Sequence, residues 1–452
     1  MDQSLCKYGE DDHNLYYGGG FNDHPNDADF CCNGIVTGYR EVTPKLEQVK
    51  KVYQYVTIKR KGDNALTLHN RYCFTNLDEL ELTYQLTTDG KVQEQGTMQL
   101  PSIAPGETKE LTLPVKTPAI RGWHHLNVQL RLKQATSWAE AGHVVAEEQL
   151  ELADNFDVRS IYQQRTDRGT SSLPTMEGKE TADDVQLSGK GWSIALNKQG
   201  MVKSIQYGGR EMVSREMQFN GFRSISNDRR NANARPEVTS KEWSYTMDET
   251  KQKATVKARL EVKQGKSVVP LTLITEVMGN GAMEIHALFD NSQNSDFARL
   301  GFETMLSKEL EQVEWLGRGP IENYPDRHDA AFVGNYRTTV TDMAEPYAKP
   351  QTMGERTDVR WLQLTAGDGQ GLRITATAGR FLFSAQHYTD EDLWRTRFNH
   401  ELPKVKREEV VLHLDAAMRG LGNASCGPGP LPQYEMPAGE IGYSLWISPV
   451  KP

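Results

Sequence analysis

Residues 253–277, KATVKARLEVKQGKSVVPLTLITEV, carry the pattern that decides the fold of this 452-residue chain. Apolar and polar residues alternate from Ala254 to Val262, and a second apolar run extends from Val269 to Val277. Alternation with a period of two places one side of an extended chain against a core and the other side in water. Gly265, between the two runs, is typical of a turn. The stretch therefore predicts strands of an all-β fold.

Similar strand signals recur along most of the chain, whereas helical periodicity is nearly absent. The spacing of the strands between residues 41 and 153 suits an antiparallel sandwich of about 100 residues. Residues 154–184 are polar and predict a linker. Longer strands fill residues 185–452 and favour one large two-sheet sandwich. Residues 1–40, rich in Gly, Asp and Asn, fit neither sandwich.

Composition excludes several classes of protein. The net charge of -9 lacks the concentrated basic surface that nucleic acids require. The chain has no apolar run of the roughly 18 residues that a membrane helix needs, so we expect no membrane partner. Five cysteines without paired spacing indicate a reducing compartment. We expect a cytoplasmic protein, with the periplasm as the alternative if the full chain carried a signal peptide.

The densest polar cluster lies between Asp23 and Asn33. Side-chain and main-chain oxygens held by turns can bind a hard cation such as Na⁺ or Mg²⁺. The same residues also form ordinary Asx turns, and spacing alone leaves both interpretations open.

Two further stretches contain candidate functional residues. Residues 317–327, GRGPIENYPDR, contain charges that could form a buried ion network or line a sugar-facing cleft. Residues 419–430, RGLGNASCGPGP, lack the Lys-Ser/Thr that follows a phosphate-binding loop and predict a turn between two strands.

Several motifs in order resemble the C-terminal part of the multidomain bacterial β-galactosidases of glycoside hydrolase family 2. They are Asp2-Gln3-Ser4-Leu5, Tyr17-Gly18-Gly19, the run from Asn26 to Gly34, the run from Ala135 to His143, and Gly317 to Arg327. The resemblance implies the end of a (β/α)₈ barrel and a cation-site loop at 1–40, then an immunoglobulin-like β-sandwich at 41–153. It further implies a large galactose-mutarotase-like β-sandwich at 185–452. Both catalytic glutamates of the family would lie on earlier barrel strands, so we expect no catalytic residue in this chain.

The resemblance also implies ligand residues. The segment matching Phe30 and Asn33 supplies a main-chain and a side-chain oxygen to a Na⁺ in the family, and Asn33 also faces the sugar. Asn26 matches a position associated with Mg²⁺. In the best-known members a Trp on a loop of the last domain stacks on the substrate, and Gly427 occupies that position here. Na⁺ and Mg²⁺ are thus expected in the complete enzyme.

The expected function is that of the C-terminal portion of a β-galactosidase that hydrolyses terminal β-D-galactosides, lactose among them, with retention and is inactive without its barrel half. The partners implied are the galactoside, the barrel-bearing half and further copies in an oligomer. The alternatives are a separate small subunit of a two-chain β-galactosidase and a non-catalytic carbohydrate-binding or assembly module. A third alternative is mutarotase-like isomerisation by His328, His387 or Glu322.

Overall fold

The structure is a computed structural model that describes residues 4–6, 13–62, 64–117, 119–155, 173–225, 228, 234–422 and 428–451. The chain divides into two compact units. The small unit comprises Lys45–Val158 and Asp329–Asn335, and the large unit comprises Met1–Pro44, Arg159–His328 and Tyr336–Pro452. Among the helices of the described residues, none combines the length and apolarity that crossing a bilayer requires.

The small unit contains a sandwich of two antiparallel sheets, and one helix precedes the strands in the chain. Helix α1 (Pro44–Tyr53) begins with a proline, which suits the first helical position because no backbone donor is lost there. The strands are β1 (Val56–Arg60), β2 (Ala65–Asn70), β3 (Leu80–Thr88), β4 (Lys91–Gln99), β5 (Thr108–Thr112), β6 (Trp123–Leu132) and β7 (Val144–Asp154). One sheet has the order β1-β2-β5 and the other β4-β3-β6-β7, and their alternating apolar residues share one core.

The remaining strands belong to the large unit, except that residues 332–335 of the strand Phe332–Thr339 fall in the small unit. They are β8 (Glu177–Glu180), β9 (Asp184–Gly189), β10 (Trp192–Asn197), β11 (Val202–Tyr207), β12 (Arg210–Glu211), β13 (Val213–Asn220), β14 (Pro236–Met247), β15 (Lys253–Gln264), β16 (Ser267–Met278), β17 (Met283–Asn291), β18 (Arg299–Leu306), β19 (Gln312–Gly319), β20 (Phe332–Thr339), β21 (Arg356–Val359), β22 (Trp361–Thr365), β23 (Gly371–Ala378), β24 (Phe381–Gln386), β25 (Val410–Met418) and β26 (Gly439–Val450). A short helix, α2 (Asp390–Arg395), lies between β24 and β25.

These strands form three sheets rather than two. A nine-stranded sheet has the order β14-β15-β16-β17-β26-β23-β22-β19-β20, and five-stranded sheets have the orders β13-β18-β25-β24-β21 and β12-β11-β10-β9-β8. Residues of all three sheets contribute to one hydrophobic core. Strand β8 lies inside the 154–184 segment predicted as a linker, of which residues 156–172 lie outside the described residues. The predicted domain limits stay a prediction.

The five-stranded sheet that contains β13, β18 and β25 carries several of the buried polar groups. Leu300, Phe302 and Leu306 of β18 belong to the hydrophobic core. Because successive side chains of a strand point to opposite faces, Arg299 and Glu303 lie on the other face. That face is also buried, since both residues are at most 5% exposed. The large unit therefore has a polar buried layer as well as an apolar one.

Candidate functional site

The loop after Tyr17 is held in shape by its own side chains. Gly19 adopts a positive φ of 83°, and its N–H donates to the Asp23 carboxylate at 2.9 Å. The Asn26 amide donates to the Asp23 carbonyl at 2.7 Å and accepts from the Ala28 N–H at 3.1 Å. Backbone hydrogen bonds to Asp23 lower the pKa of its carboxyl group. Asn26, expected at a Mg²⁺ position, is thus part of an Asx-type turn.

The loop packs on the large sandwich of the same unit. The Tyr17 hydroxyl donates to the Arg397 carbonyl, and the rings of Tyr17 and Phe398 lie with their centroids 4.6 Å apart. Leu15 and Ala348 complete this small apolar cluster. Burial raises the pKa of the Tyr17 phenol, so the hydroxyl remains a donor at every physiological pH.

Phe30 and Asn33, the two residues expected at the Na⁺ position, lie side by side. A 3₁₀ turn over Ala28–Cys31 brings the Asn33 Nδ2 to 2.7 Å from the Phe30 carbonyl oxygen. Both side chains are exposed, and 51% of Phe30 is accessible. A main-chain oxygen and a side-chain amide thus stand together at the surface of the loop, which is a donor set suited to a hard cation.

Gly427, the residue expected to face substrate, lies outside the described residues. The root of its loop is described and is firmly attached. The Asp326 carboxylate accepts from the N–H groups of Leu421 and Gly422 at 2.9 and 2.7 Å. The buried Arg223 donates to the carbonyl of Gly420 at 2.8 Å. The loop therefore starts from a fixed base.

Residues 317–327 form mainly a buried ionic network. Arg327 pairs with Glu322, which is 1% exposed and also accepts from the Tyr347 hydroxyl and, at 2.9 Å, from the Gly354 N–H. Burial, with the nearby Glu322 charge, raises the pKa of Tyr347. These contacts agree with the interpretation of this stretch as a buried ion network rather than as the lining of a sugar-facing cleft.

The residues of the isomerisation alternative have separate partners. His387 Nε2 lies 3.2 Å from a Glu311 oxygen, and its Nδ1 lies 3.1 Å from the Glu409 carbonyl. Glu322 is engaged by Arg327 and Tyr347. These contacts do not join His387 to Glu322.

A second cluster, which the sequence did not reveal, lies on the polar face of the β13-β18-β25 sheet. Glu303 is directly opposite His413 in the strand register, and Nε2 of His413 lies 3.3 Å from Oε2 of Glu303. The same Nε2 is 3.7 Å from Asp390, the first residue of α2. Arg299 Nη1 lies 2.7 Å from His413 Nδ1 and 3.1 Å from Asp390.

The environment fixes the protonation of this cluster. Burial and the charge of Arg299 lower the pKa of His413 to about 3, so the imidazole is neutral. Burial raises the pKa of Glu303. Burial also opposes the ionisation of Asp390, but the charge of Arg299 and two hydrogen bonds outweigh it and lower the Asp390 pKa.

The spacing of Glu303, Asp390 and His413 would also suit a metal ion. A guanidinium can only donate, so Nδ1 of His413 must accept from Arg299 and the proton of the neutral ring resides on Nε2. Nε2 then donates toward Glu303 and has no lone pair for a metal. A second group, Glu276, Glu284 and His286, has the same spacing on neighbouring strands. Glu284 is buried and the other two residues are partly buried. The described residues therefore offer one plausible acidic metal group, and it lies outside the predicted ligands.

Comparison with known proteins defines the class of the chain. The family model for "Beta galactosidase small chain" matches residues 188–447. Models for "Beta-galactosidase, domain 4" and for "Glycosyl hydrolases family 2, TIM barrel domain" match residues 66–153 and 1–58. Since the first match covers more than half of the sequence, the chain belongs to the β-galactosidase small chain family. The predicted resemblance to the C-terminal part of a family 2 β-galactosidase is confirmed, as is the all-β class with a short piece of barrel domain.

A β-galactosidase of Pseudoalteromonas haloplanktis is 26% identical over 483 aligned residues, which cover 99% of this chain and 45% of that protein. The chain thus spans less than half the length of this relative. A galactose 1-epimerase from Lactobacillus acidophilus NCFM resembles 62% of the chain with 10% identity and a TM-score of 0.30. A galactose mutarotase-like protein from Clostridium acetobutylicum resembles 62% with 6% identity and a TM-score of 0.33. TM-scores this low support no argument about activity.

Proposed function

We propose that this chain is the C-terminal portion of a β-galactosidase that hydrolyses terminal β-D-galactosides with retention and that the barrel-bearing half supplies the catalytic carboxylates. The observation that carries the proposal is the alignment of 99% of the chain with 45% of a β-galactosidase. A retaining glycosidase needs an acid/base and a nucleophile about 5 Å apart across the scissile bond. In this proposal, both groups belong to the barrel, and the present chain completes the pocket around them.

The loop containing Phe30 and Asn33 is the part of the chain proposed to contact substrate through Na⁺. The Phe30 carbonyl already lies 2.7 Å from the Asn33 amide. Turning that amide by half a rotation replaces its nitrogen by Oδ1, so both oxygens can face one cation. Na⁺ bound there would supply a positive charge that orients a hydroxyl of the galactose. The remaining ligands come from the barrel half.

Asn26 is proposed as the Mg²⁺ position. Its Oδ1 accepts one hydrogen bond, from Ala28, and an amide oxygen has a second lone pair for a cation. Gly427 is proposed to line the sugar pocket from the loop rooted at Asp326. Without an aromatic ring at position 427, that loop contributes backbone and shape rather than stacking.

The proposal is tested by complementation. The purified chain is mixed with the separately produced barrel-bearing half, and hydrolysis of a chromogenic β-galactoside is measured with each half alone as control. We expect hydrolysis only from the mixture, with β-galactose as the first anomer seen by proton NMR. Substantial turnover by the present chain alone, or α-galactose as the first product, would contradict the proposal.

A two-chain enzyme is a second candidate, because the matched family is described as a small chain. The distinguishing measurement is made on the native protein from its source. Co-purification of two separate polypeptides, with the larger carrying the barrel, supports a natural small subunit, and a single long polypeptide excludes it. Sedimentation of the active species also measures the expected oligomer, and cell fractionation tests the expected cytoplasmic location.

A further inference from the structure

An open pocket in the large unit lies over the cluster of Glu303 and Asp390. It has a volume of about 410 Å³ and is formed by β13, β18, α2 and the segment before β14. Its lining includes Arg215, Glu303, Asp390, Trp394 and Arg407. Pockets that bind small molecules have volumes of about 300–1,000 Å³. We refer to this space as the sandwich pocket.

The floor of the sandwich pocket is rigid. Gln218, Glu303 and His413 lie directly opposite one another on three adjacent strands, so their side chains share one face of the sheet. Oε1 of Glu303 accepts from Gln218 at 3.3 Å and from Arg215, while Oε2 faces the Nε2–H of His413. The carboxylate is therefore held in one orientation at the base of the pocket.

One wall of the pocket is aromatic. The rings of Trp394 and Phe222 form a T-shaped pair, with centroids 5.8 Å apart and an interplanar angle of 86°. Trp394 sits on α2, which is fixed by Asp390 through hydrogen bonds from Asn220 and Thr352 at 3.0 and 2.6 Å. Trp394 remains partly exposed, and its indole N–H makes no hydrogen bond to the residues that the structure describes. The exposed part of the indole ring and its N–H are thus available to a ligand.

Three of the four arginines that line the pocket pair with nearby carboxylates. Arg215 pairs with Glu303. Arg395 pairs with Glu391, and Arg407 makes a two-point contact with Asp392 at 2.7 and 3.0 Å. An anion would have to compete with these carboxylates. A neutral ligand that both donates and accepts fits better, because it meets guanidinium donors beside carboxylate acceptors.

We propose that the sandwich pocket binds a neutral monosaccharide-sized ring, which stacks its apolar face on Trp394 and hydrogen-bonds through its hydroxyls to Glu303 and the paired arginines. A sugar ring has the alternating donors and acceptors and the apolar face that this lining demands. The site lies within the large unit and needs neither Na⁺ nor the barrel half. The test of this inference is therefore independent of whether the proposed hydrolysis is correct.

The test is saturation-transfer NMR on the full chain with D-galactose and D-glucose as neutral probes and inorganic phosphate as the anionic probe. We expect saturation transfer to at least one sugar at millimolar concentration, unchanged when Na⁺ is replaced by K⁺. Trp394→Ala should weaken sugar binding by about tenfold or more, since the stacking face is lost. Trp394→Phe should restore part of the affinity.

Trp138→Ala is the matched control, because Trp138 is 66% exposed and belongs to the small unit. It should leave sugar binding unchanged, and circular dichroism confirms folding of each variant. Glu303→Gln, which keeps the shape of the side chain, should also weaken binding. The proposal is wrong if wild-type chain shows no transfer to either sugar, if phosphate binds and the sugars do not, or if folded Trp394→Ala and Trp394→Phe both bind as wild type does.

Discussion

Asp326 holds Gly422 by a hydrogen bond of 2.7 Å from the glycine N–H to the carboxylate, and the same carboxylate accepts from Leu421 at 2.9 Å. The two partners are far apart in sequence, but the approach is close because residue 420 is a glycine. A Cβ at Gly420 would lie 2.7 Å from the Asp326 carboxyl carbon. The charged stretch at 317–327 thus anchors the root of the glycine-rich loop.

Asp326→Asn should lower kcat/KM of the complemented enzyme by about tenfold, because one of the two N–H groups then faces an amide nitrogen and loses a charge-assisted hydrogen bond. The loop root loosens, while assembly with the barrel half is unaffected. Steady-state hydrolysis of a chromogenic β-galactoside measures the first effect, and sedimentation measures the second.

Asp368→Asn is the control for this change. Asp368 is an exposed turn carboxylate that accepts from the Gln370 N–H and pairs with Arg210 in the same unit. Its substitution should leave kcat/KM within twofold of wild type. Equal kcat/KM for Asp326→Asn and wild type would show that the loop root has no influence on the reaction.

Asn33→Ala should raise the Na⁺ concentration that gives half-maximal activity of the complemented enzyme. The variant keeps the Phe30 carbonyl but removes the side-chain oxygen proposed to turn toward the cation. We expect this Na⁺ concentration to rise about tenfold, because the loss of one polar contact to a charge changes the binding free energy by an amount that corresponds to about a factor of ten. Hydrolysis rates over a Na⁺ titration at constant ionic strength measure it.

Asn26→Ala is the comparison within the same loop. It removes the hydrogen bonds to Asp23 and from Ala28, so it should alter the Mg²⁺ dependence and the stability of the loop and leave the Na⁺ midpoint near that of wild type. Identical Na⁺ curves for Asn33→Ala and wild type would remove Asn33 from the cation site.

Much of the fold follows from the period-two pattern. The hairpin expected over 254–277 is present as β15 and β16, which pair from Lys253 with Met278 to Gln264 with Ser267. The strand pattern predicts a β-sandwich over residues 41–153, yet this segment opens with α1, which continues to Tyr53 before β1 begins at Val56. The signal for that helix was the Thr43-Pro44 pair, a typical helix start. It precedes only ten helical residues, too few for a clear period of 3.6.

The candidate sites differ in how well they could be predicted from the sequence alone. Asn33 lies three residues after Phe30, so one tight turn suffices to bring them together. Glu303 and His413 meet only because β18 and β25 are neighbours in one particular register. A single sequence specifies which residues of a strand are polar, but strand order and register depend on the packing of the whole sheet. The position of Gly427 remains a prediction.

Gly301→Ala should destabilise the large unit. A Cβ at this position on β18 would overlap the Asp415 carboxylate and would lie 2.6 Å from the Leu414 carbonyl, a backbone atom that cannot move aside. Overpacking of this kind costs about 1–3 kcal/mol. Urea unfolding, combined with hydrogen exchange at the amides of β18 and β25, measures the loss.

Gly367→Ala provides the matched control, because a Cβ there meets no atom within 4 Å. Its unfolding midpoint should equal that of wild type within error, as is usual for exposed turn positions. Should Gly301→Ala unfold at the wild-type midpoint, the close packing of β18 against β25 described above would be incorrect.

His413→Gln should change how stability depends on pH. The pKa of His413 is about 3 in the folded chain against 6.5 in the unfolded chain. The unfolded state therefore binds one more proton between these values, and the neutral ring's contribution is lost as pH falls from 6.5 toward 3. The loss amounts to about 1.4 kcal/mol per pH unit. Burial raises the pKa of Asp415 to about 7, which has the opposite effect over much of the same range.

The decisive quantity is the free energy of unfolding of His413→Gln minus that of wild type, measured by urea titration at pH 7.5, 6, 5 and 4. Glutamine keeps a donor toward Glu303 but has no proton to gain, while Asp415 and Arg299 are common to both proteins. This difference can have any value at pH 7.5. It should become more positive with each step below pH 6.5, because wild type loses stability there and the variant does not lose it by this route. A difference that stays constant across the series would mean that His413 titrates alike in the folded and unfolded chain, and the neutral Arg299–His413–Glu303 arrangement would then be untenable.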